Sequence, residues 1–200
     1  MKINSRLGIA VAVAMTVAAG PAQAQRYSDS FTFLDAVKER DGDKVNSLLS
    51  EPGSVVINAK GRDDGNAALH VIVGERDLTW LRFLIGKGAR PDIQNDDGNT
   101  PLTLAAQLGW TEGAELLLSR RATVDMPNDR GETPLIVAVQ RRDLPMVRLL
   151  LSKGADPMHT DNVAGYSALD YARQDRRSSA ILKLLETPVK PAMEVAGPTL

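Results

Sequence analysis

Two hundred residues, 43% hydrophobic, 24% charged and only 4% aromatic, fit a soluble chain with an aliphatic core. A formal charge of −1 gives no net cationic footprint of the kind that nucleic acid or an anionic membrane surface attracts, so neither is expected as a partner. The absence of cysteine excludes disulfides, a thiol nucleophile and lipoprotein-type acylation.

In chain order, Lys2 and Arg6 make a positive start, Leu7 to Ala19 is an uncharged apolar run, and Ala22-Gln23-Ala24 offers small-x-small spacing. That is the layout of a secretory signal over residues 1–24, cut after Ala24. The apolar run is short of the roughly 20 residues a spanning helix needs, so a membrane anchor is the weaker alternative. Without Lys2 and Arg6 the mature chain carries a charge of about −3. Gln25 stands where a lipoprotein has cysteine, so the mature chain is expected free in the periplasm, or beyond it if secreted. Residues 25–30 read as a short linker.

From there the chain repeats. Gly65, Gly98 and Gly131 are equally spaced, and Gly165 follows at the same interval lengthened by one position. The same period carries Leu69, Leu102, Leu135 and Leu169. It also carries Leu84, Leu117, Leu150 and Leu184, and Asp161 accounts for the one longer spacing. Each unit opens with an acidic, glycine-containing turn that favours positive φ. Thr100 and Thr133 are placed to cap a helix whose first residue is Pro101 or Pro134. Leu102, Leu104, Ala105 and Ala106 line that helix, and Leu108-Gly109-Trp110 turns into a second one ending in Leu116-Leu117-Leu118. Gly88 and Gly154 follow the second helices as left-handed caps. Asp143 caps the fourth unit's second helix, whose first turn tolerates Pro145.

The turn, helix, loop, helix order and the Thr-Pro-Leu runs at 100–102 and 133–135 resemble the ankyrin repeat. The resemblance covers residues 31–186, in about five units at 31–60, 61–94, 95–127, 128–161 and 162–186. It implies an all-α solenoid of stacked helix-turn-helix units with short β-hairpin turns. The segment from Phe33 to Leu49 looks like a degenerate first repeat, with Ala36, Val37, Val45, Leu48 and Leu49 facing inward. Residues 163–186 look like a terminal cap bearing Arg173, Lys183 and Glu186. Arg121 departs from the pattern's glycine, at a cost of ~1 kcal/mol if it stays left-handed. Arg142 replaces the loop glycine seen at Gly109. Gly113 replaces a β-branched residue, and Trp80, one repeat earlier at the same position, is expected to fill its space. Residues 187–200, with Pro188, Pro191 and Pro198, read as a flexible tail.

Chemistry finds little footing. His70 and His159 are the only histidines, too few for a three-histidine zinc site and not arranged for a triad. His70 occupies the histidine of the repeat pattern, which by the resemblance bonds backbone across adjacent turns; His159 reads as solvated. Asp63, Asp64, Asp96, Asp97, Asp129 and Asp161 would stack in rows. A calcium ladder or a hydrolase pair is one reading of them, and turn-forming carboxylates are the better one. No catalytic residue, metal or cofactor is expected, and a wall-modifying hydrolase or secreted effector stands as the alternative.

By the resemblance, a protein partner docks on the concave face made by hairpin tips and first helices. The tips contribute Asp64, Asn66, Asp97, Asn99, Arg130, Glu132 and Tyr166. Helix ends and loops add Glu75, Gln107, Leu108, Trp110, Gln140 and Arg141. Trp110 reads equally well as an exposed anchor or as packed against a neighbouring loop. The chain is expected to be monomeric.

Overall fold

The computed structural model describes the backbone of residues 21–52 and 54–187, with side chains from residue 29 onward. The leader's charge and apolar run, and the tail at 188–200, lie outside the described residues. Ten α-helices follow as five pairs among the described residues: α1 (Pro21–Glu39) with α2 (Gly42–Ser50), α3 (Ala68–Gly74) with α4 (Leu78–Gly86), and α5 (Pro101–Leu108) with α6 (Thr111–Ser119). The last two pairs are α7 (Pro134–Gln140) with α8 (Leu144–Ser152), and α9 (Ala168–Gln174) with α10 (Ser179–Glu186). Strand pairing in the described residues is limited to the isolated bridges Lys60–Ala67 and Thr160–Ser167. The helix α1 is continuous, so the expected cleavage point after Ala24 and the linker at 25–30 fall in helical backbone.

Local chemistry sets these boundaries. Thr100 and Thr133 accept the amides of Thr103 and Ile136, and proline follows each at the first helical position. Ser167 caps α9 in the same way. Asp77 and Asp143 accept the amides of Trp80 and Met146 at the starts of α4 and α8. Arg121 and Arg142 keep the left-handed backbone their positions require, with φ of 67° and 59°, and so do Arg40 and Arg76.

Inner helices α3, α5, α7 and α9 pack in one row and outer helices α4, α6, α8 and α10 in a second. Neither row can bury its apolar stripe alone; stacking does it, which is the stabilising principle of a solenoid. Leu69, Leu102, Leu135 and Leu169 lie in the core, as do Leu84, Leu117 and Leu150. Leu184 is only half-buried, because no unit among the described residues stacks beyond it, and Leu185 takes the core position instead. In the first pair Phe33, Ala36, Val37, Val45 and Leu48 are buried as expected, and Leu49 is half-buried against the core.

The space at Gly113 is filled by a different indole from the expected one. A Cβ built there would meet Cε3 of Trp110 at 2.1 Å and Cζ3 at 2.3 Å. Trp110 immediately precedes α6 and lays its ring over that helix's first turn. Trp80 instead packs edge-on to Phe83, at 5.1 Å between centroids, under the Arg40 guanidinium.

Candidate partner-binding surface

The hairpin turns at Gly65, Gly98, Gly131 and Gly165 are tied into a ladder. The amides of Asp96, Asp129 and Asn162 donate to the carbonyls of Asp64, Asp97 and Arg130, at 3.1, 3.2 and 2.8 Å. Side chains reinforce it: Asn95 donates to Asn66 Oδ1 at 3.0 Å, and Asn128 to Asn99 Oδ1 at 3.1 Å. A second row runs along the other turn of each unit. Asn58 accepts the Arg90 amide, Asp92 the Thr123 amide, and Asp125 the Asp156 amide.

Of the recurrent carboxylates, Asp64 and Asp161 bond the amides of their own turns, while Asn95 and Asn128 do so in the two turns between. Asp64 Oδ1 accepts the Asn66 amide, and Asp161 Oδ1 accepts the amides of Val163, Ala164 and Gly165. The Tyr171 hydroxyl donates to Asp161 Oδ2 at 2.5 Å. Among the described residues no group of three His, Asp or Glu gathers to hold a metal, and no helix is long and apolar enough to cross a membrane.

His70 is buried and bridges two turns. Its Nδ1 accepts the Ala67 amide at 3.1 Å, which leaves Nε2–H to donate to the Asn99 carbonyl at 2.9 Å. Burial pushes the imidazole pKa below 6.5, outweighing the pull of the Asn99 carbonyl. The unfolded chain therefore binds this proton first, so stability is full above pH 6.5 and falls as pH drops below it. Urea midpoints should decline from about pH 7.5 to about pH 5.5, and His70→Gln should flatten that decline; an unchanged slope would put the acid sensitivity elsewhere. His159 is half-buried rather than solvated.

Arginine clips join successive inter-helix loops, and the sequence reading missed them. Arg40 pairs with Glu75 and, at 2.9 Å, with Asp77. Arg76 donates to the Leu108 carbonyl, and Arg142 pairs with Asp175. The Arg142 guanidinium holds the Asp175 carboxyl far below the usual carboxylate range. The available signal was the recurrence of arginine at 40, 76 and 142, with an acid at 77 and 175. Arg142→Gly loses the clip but also the left-handed strain, so its urea midpoint should stay near the parent's. Arg142→Ala keeps the strain without the clip and should fall below both.

The expected contact residues divide by exposure. Asp64, Glu75, Asp97, Arg130, Gln140, Arg141 and Tyr166 are exposed, while Asn66, Gln107 and Leu108 are half-buried. Asn99, Glu132 and Trp110 are buried, which takes them off the surface. Asn99 is held by the ladder, Glu132 accepts from Asn128 at 3.1 Å and Gln140 at 3.3 Å, and Trp110 covers α6. Tyr166 stands edge-on to Tyr171, 5.6 Å between centroids. Beside Tyr171, a cleft of about 350 Å³ opens between the ends of α7 and α9, lined by Gln140, Arg142, Gln174 and Asp175 among others.

A family model described as ankyrin repeats (3 copies) matches residues 33–128, 69–161 and 121–193. Shorter stretches resemble curated proteins. The nuclear factor NF-kappa-B p110 subunit of Drosophila melanogaster is 38% identical over 52 residues, covering 26% of this chain and 5% of that protein. An ankyrin repeat protein of Rickettsia felis is 43% identical over 53 residues, 25% of this chain and 23% of its own length. The potassium channel AKT1 of Oryza sativa subsp. indica is 35% identical over 74 residues, 37% of this chain and 8% of the channel. The chain thus spans less than a quarter of each of these relatives.

Proposed function

Because this chain belongs to the ankyrin-repeat family, we propose that it is a non-catalytic protein-binding module that works outside the cytoplasm. It docks one folded protein on the hairpin and inner-helix face, and so shields, scaffolds or inhibits it. The observation that carries this reading is the exposed row of Asp64, Asp97, Arg130, Gln140, Arg141 and Tyr166 on a backbone already fixed by the hairpin ladder. A surface ordered before binding loses little further entropy on association. Tyrosine and arginine are the side chains that most often anchor such contacts. The extracytoplasmic setting rests on the charged start, apolar run and Ala22-Gln23-Ala24 of the leader.

A photoreactive group at Arg141 or Tyr166 should cross-link one defined protein, and the same group at Lys87 or Arg120 on the outer side should not. Arg141→Ala with Tyr166→Ala should weaken capture of that protein about tenfold or more while helicity is unchanged. Equal capture would remove this face from the reading. Fractionation tests the compartment separately, since a mature chain found only in the cytoplasm would refute export.

A further inference from the structure

The two ends of the inner helices carry opposite charge. Hairpin tips before them expose Asp63, Asp64, Asp96, Asp97 and Asp129. The loops after α7 and α9 instead expose Arg141, Arg142, Arg176 and Arg177, and Arg173 stands in the last turn of α9. Seven-residue helices separate the two levels by about 10 Å.

These arginines surround the cleft between the ends of α7 and α9, which Arg142, Gln174 and Asp175 line. Asp175 is already engaged: it accepts from Arg142 Nε, from the Arg177 amide at 3.1 Å and from the Ser178 hydroxyl at 2.9 Å. Glu186 lies 3.5 Å from Arg173. Among the described residues Arg141 and Arg176 have no carboxylate partner, and the terminal nitrogens of Arg142 and the Gln174 amide make no hydrogen bond. The carboxylates behind Tyr171 do not compete, since Glu132 and Asp161 are buried and bonded within their own turns. The mouth of the cleft therefore offers unspent donors and an excess of cations.

We propose that the partner presents an acidic segment here, one Asp or Glu side chain entering the cleft to Arg142 and Gln174 while its neighbours face Arg141 and Arg176. This rests on the protein-binding reading given above. A guanidinium with its terminal nitrogens free pairs a carboxylate through charge-assisted hydrogen bonds. The acidic tips repel the same segment, so opposite charges at the two levels fix which way round the partner sits. Nucleic acid fits less well, because a chain charged along its whole length must also pass those exposed carboxylates.

A short acetylated and amidated peptide of alternating Glu and Gly is the probe, titrated into the mature chain at low salt and followed by heteronuclear NMR. The Gln140 and Gln174 side-chain amides and the backbone amides of Arg141 and Arg176 should shift saturably, and added salt should weaken the binding. A peptide with Gln in place of Glu should leave them unmoved. Arg141→Gln with Arg176→Gln should weaken binding of the Glu peptide about tenfold, with the fold intact because neither residue ties units together. Absent shifts, equal shifts with the Gln peptide or equal affinity in the variant would overturn the proposal. Tighter binding of a single-stranded oligonucleotide at these residues would overturn it in favour of nucleic acid, and the same shifts on raising the chain's own concentration in favour of a second copy. Cross-linking from Tyr166 keeps the two readings apart. Undiminished capture of the same protein by the variant would sink the acidic segment and leave the docking face standing, whereas no capture by the parent would sink the face itself.

Discussion

Gly113→Ile should strip the protein of much of its stability. Even a methyl at this position would sit 2.1 to 2.5 Å from three carbons of the Trp110 ring. The indole cannot step aside, because it is 5% exposed and packed into the same core as Ala114 and Leu117. Overpacking alone costs ~1–3 kcal/mol. Expelling the whole indole adds the loss of a large buried side chain, roughly 3–5 kcal/mol on the scale of aromatic truncations. A domain stabilised by about 5–15 kcal/mol does not absorb both with much to spare. Urea titration followed by far-ultraviolet dichroism measures the loss. The assignment to Trp110 is tested by rescue of the milder Gly113→Ala. Trp110→Leu should recover part of the lost stability and Trp80→Leu none; the opposite pattern would restore the expectation drawn from repeat position.

That expectation failed for an instructive reason. Repeat alignment compares equivalent positions, so it pairs Gly113 with Trp80, one full repeat back. The contact that matters lies within one unit, between the residue before α6 and the third residue of that helix. The features that alignment revealed correctly are those dictated by local backbone chemistry. Threonine caps, proline at helix starts and left-handed turns depend on a few consecutive residues, and the structure shows each where the sequence placed it. The buried leucines were legible as well, because burial between stacked units repeats with the period itself.

The binding face was only partly legible. Asn66, Asn99 and Glu132 occupy equivalent tip positions, yet Asn66 is half-buried and the other two are buried. An asparagine of the next turn reaches back to each of the first two, Asn95 to Asn66 Oδ1 and Asn128 to Asn99 Oδ1, and Asn128 also donates to Glu132 of its own turn. These ties run between units, so a single unit does not reveal them. The arginine clips were hidden because each joins loops of two successive units, so a single unit shows only an apparent substitution of glycine. Arg142, read as a defect in the pattern, proves to be a tie between units.

Gly98→Ala should be the other severe change, and its comparison with Gly165→Ala separates two causes. Both glycines have left-handed backbone, φ 72° and 68°, so both substitutions carry the same strain of about 1–2 kcal/mol. At Gly98 the added methyl also lies 2.5 Å from the Asp129 nitrogen and 2.3 Å from its Oδ1. Relieving that overlap moves the Asp129 amide off the Asp97 carbonyl and parts Asn128 from Asn99, both of which join the second and third turns. A solenoid is stabilised by its interfaces between neighbours, so a wedge at this one also weakens the cooperation between its two halves. The expected loss is roughly 3 kcal/mol or more for Gly98→Ala. It should exceed that of Gly165→Ala by about 2 kcal/mol, because a methyl on Gly165 meets nothing within 4 Å among the described residues. A lower m-value for Gly98→Ala, as the two halves begin to unfold separately, would accompany the shift in midpoint. Equal losses at the two positions would mean that backbone strain is the whole effect and that the close stacking of turns contributes nothing to stability.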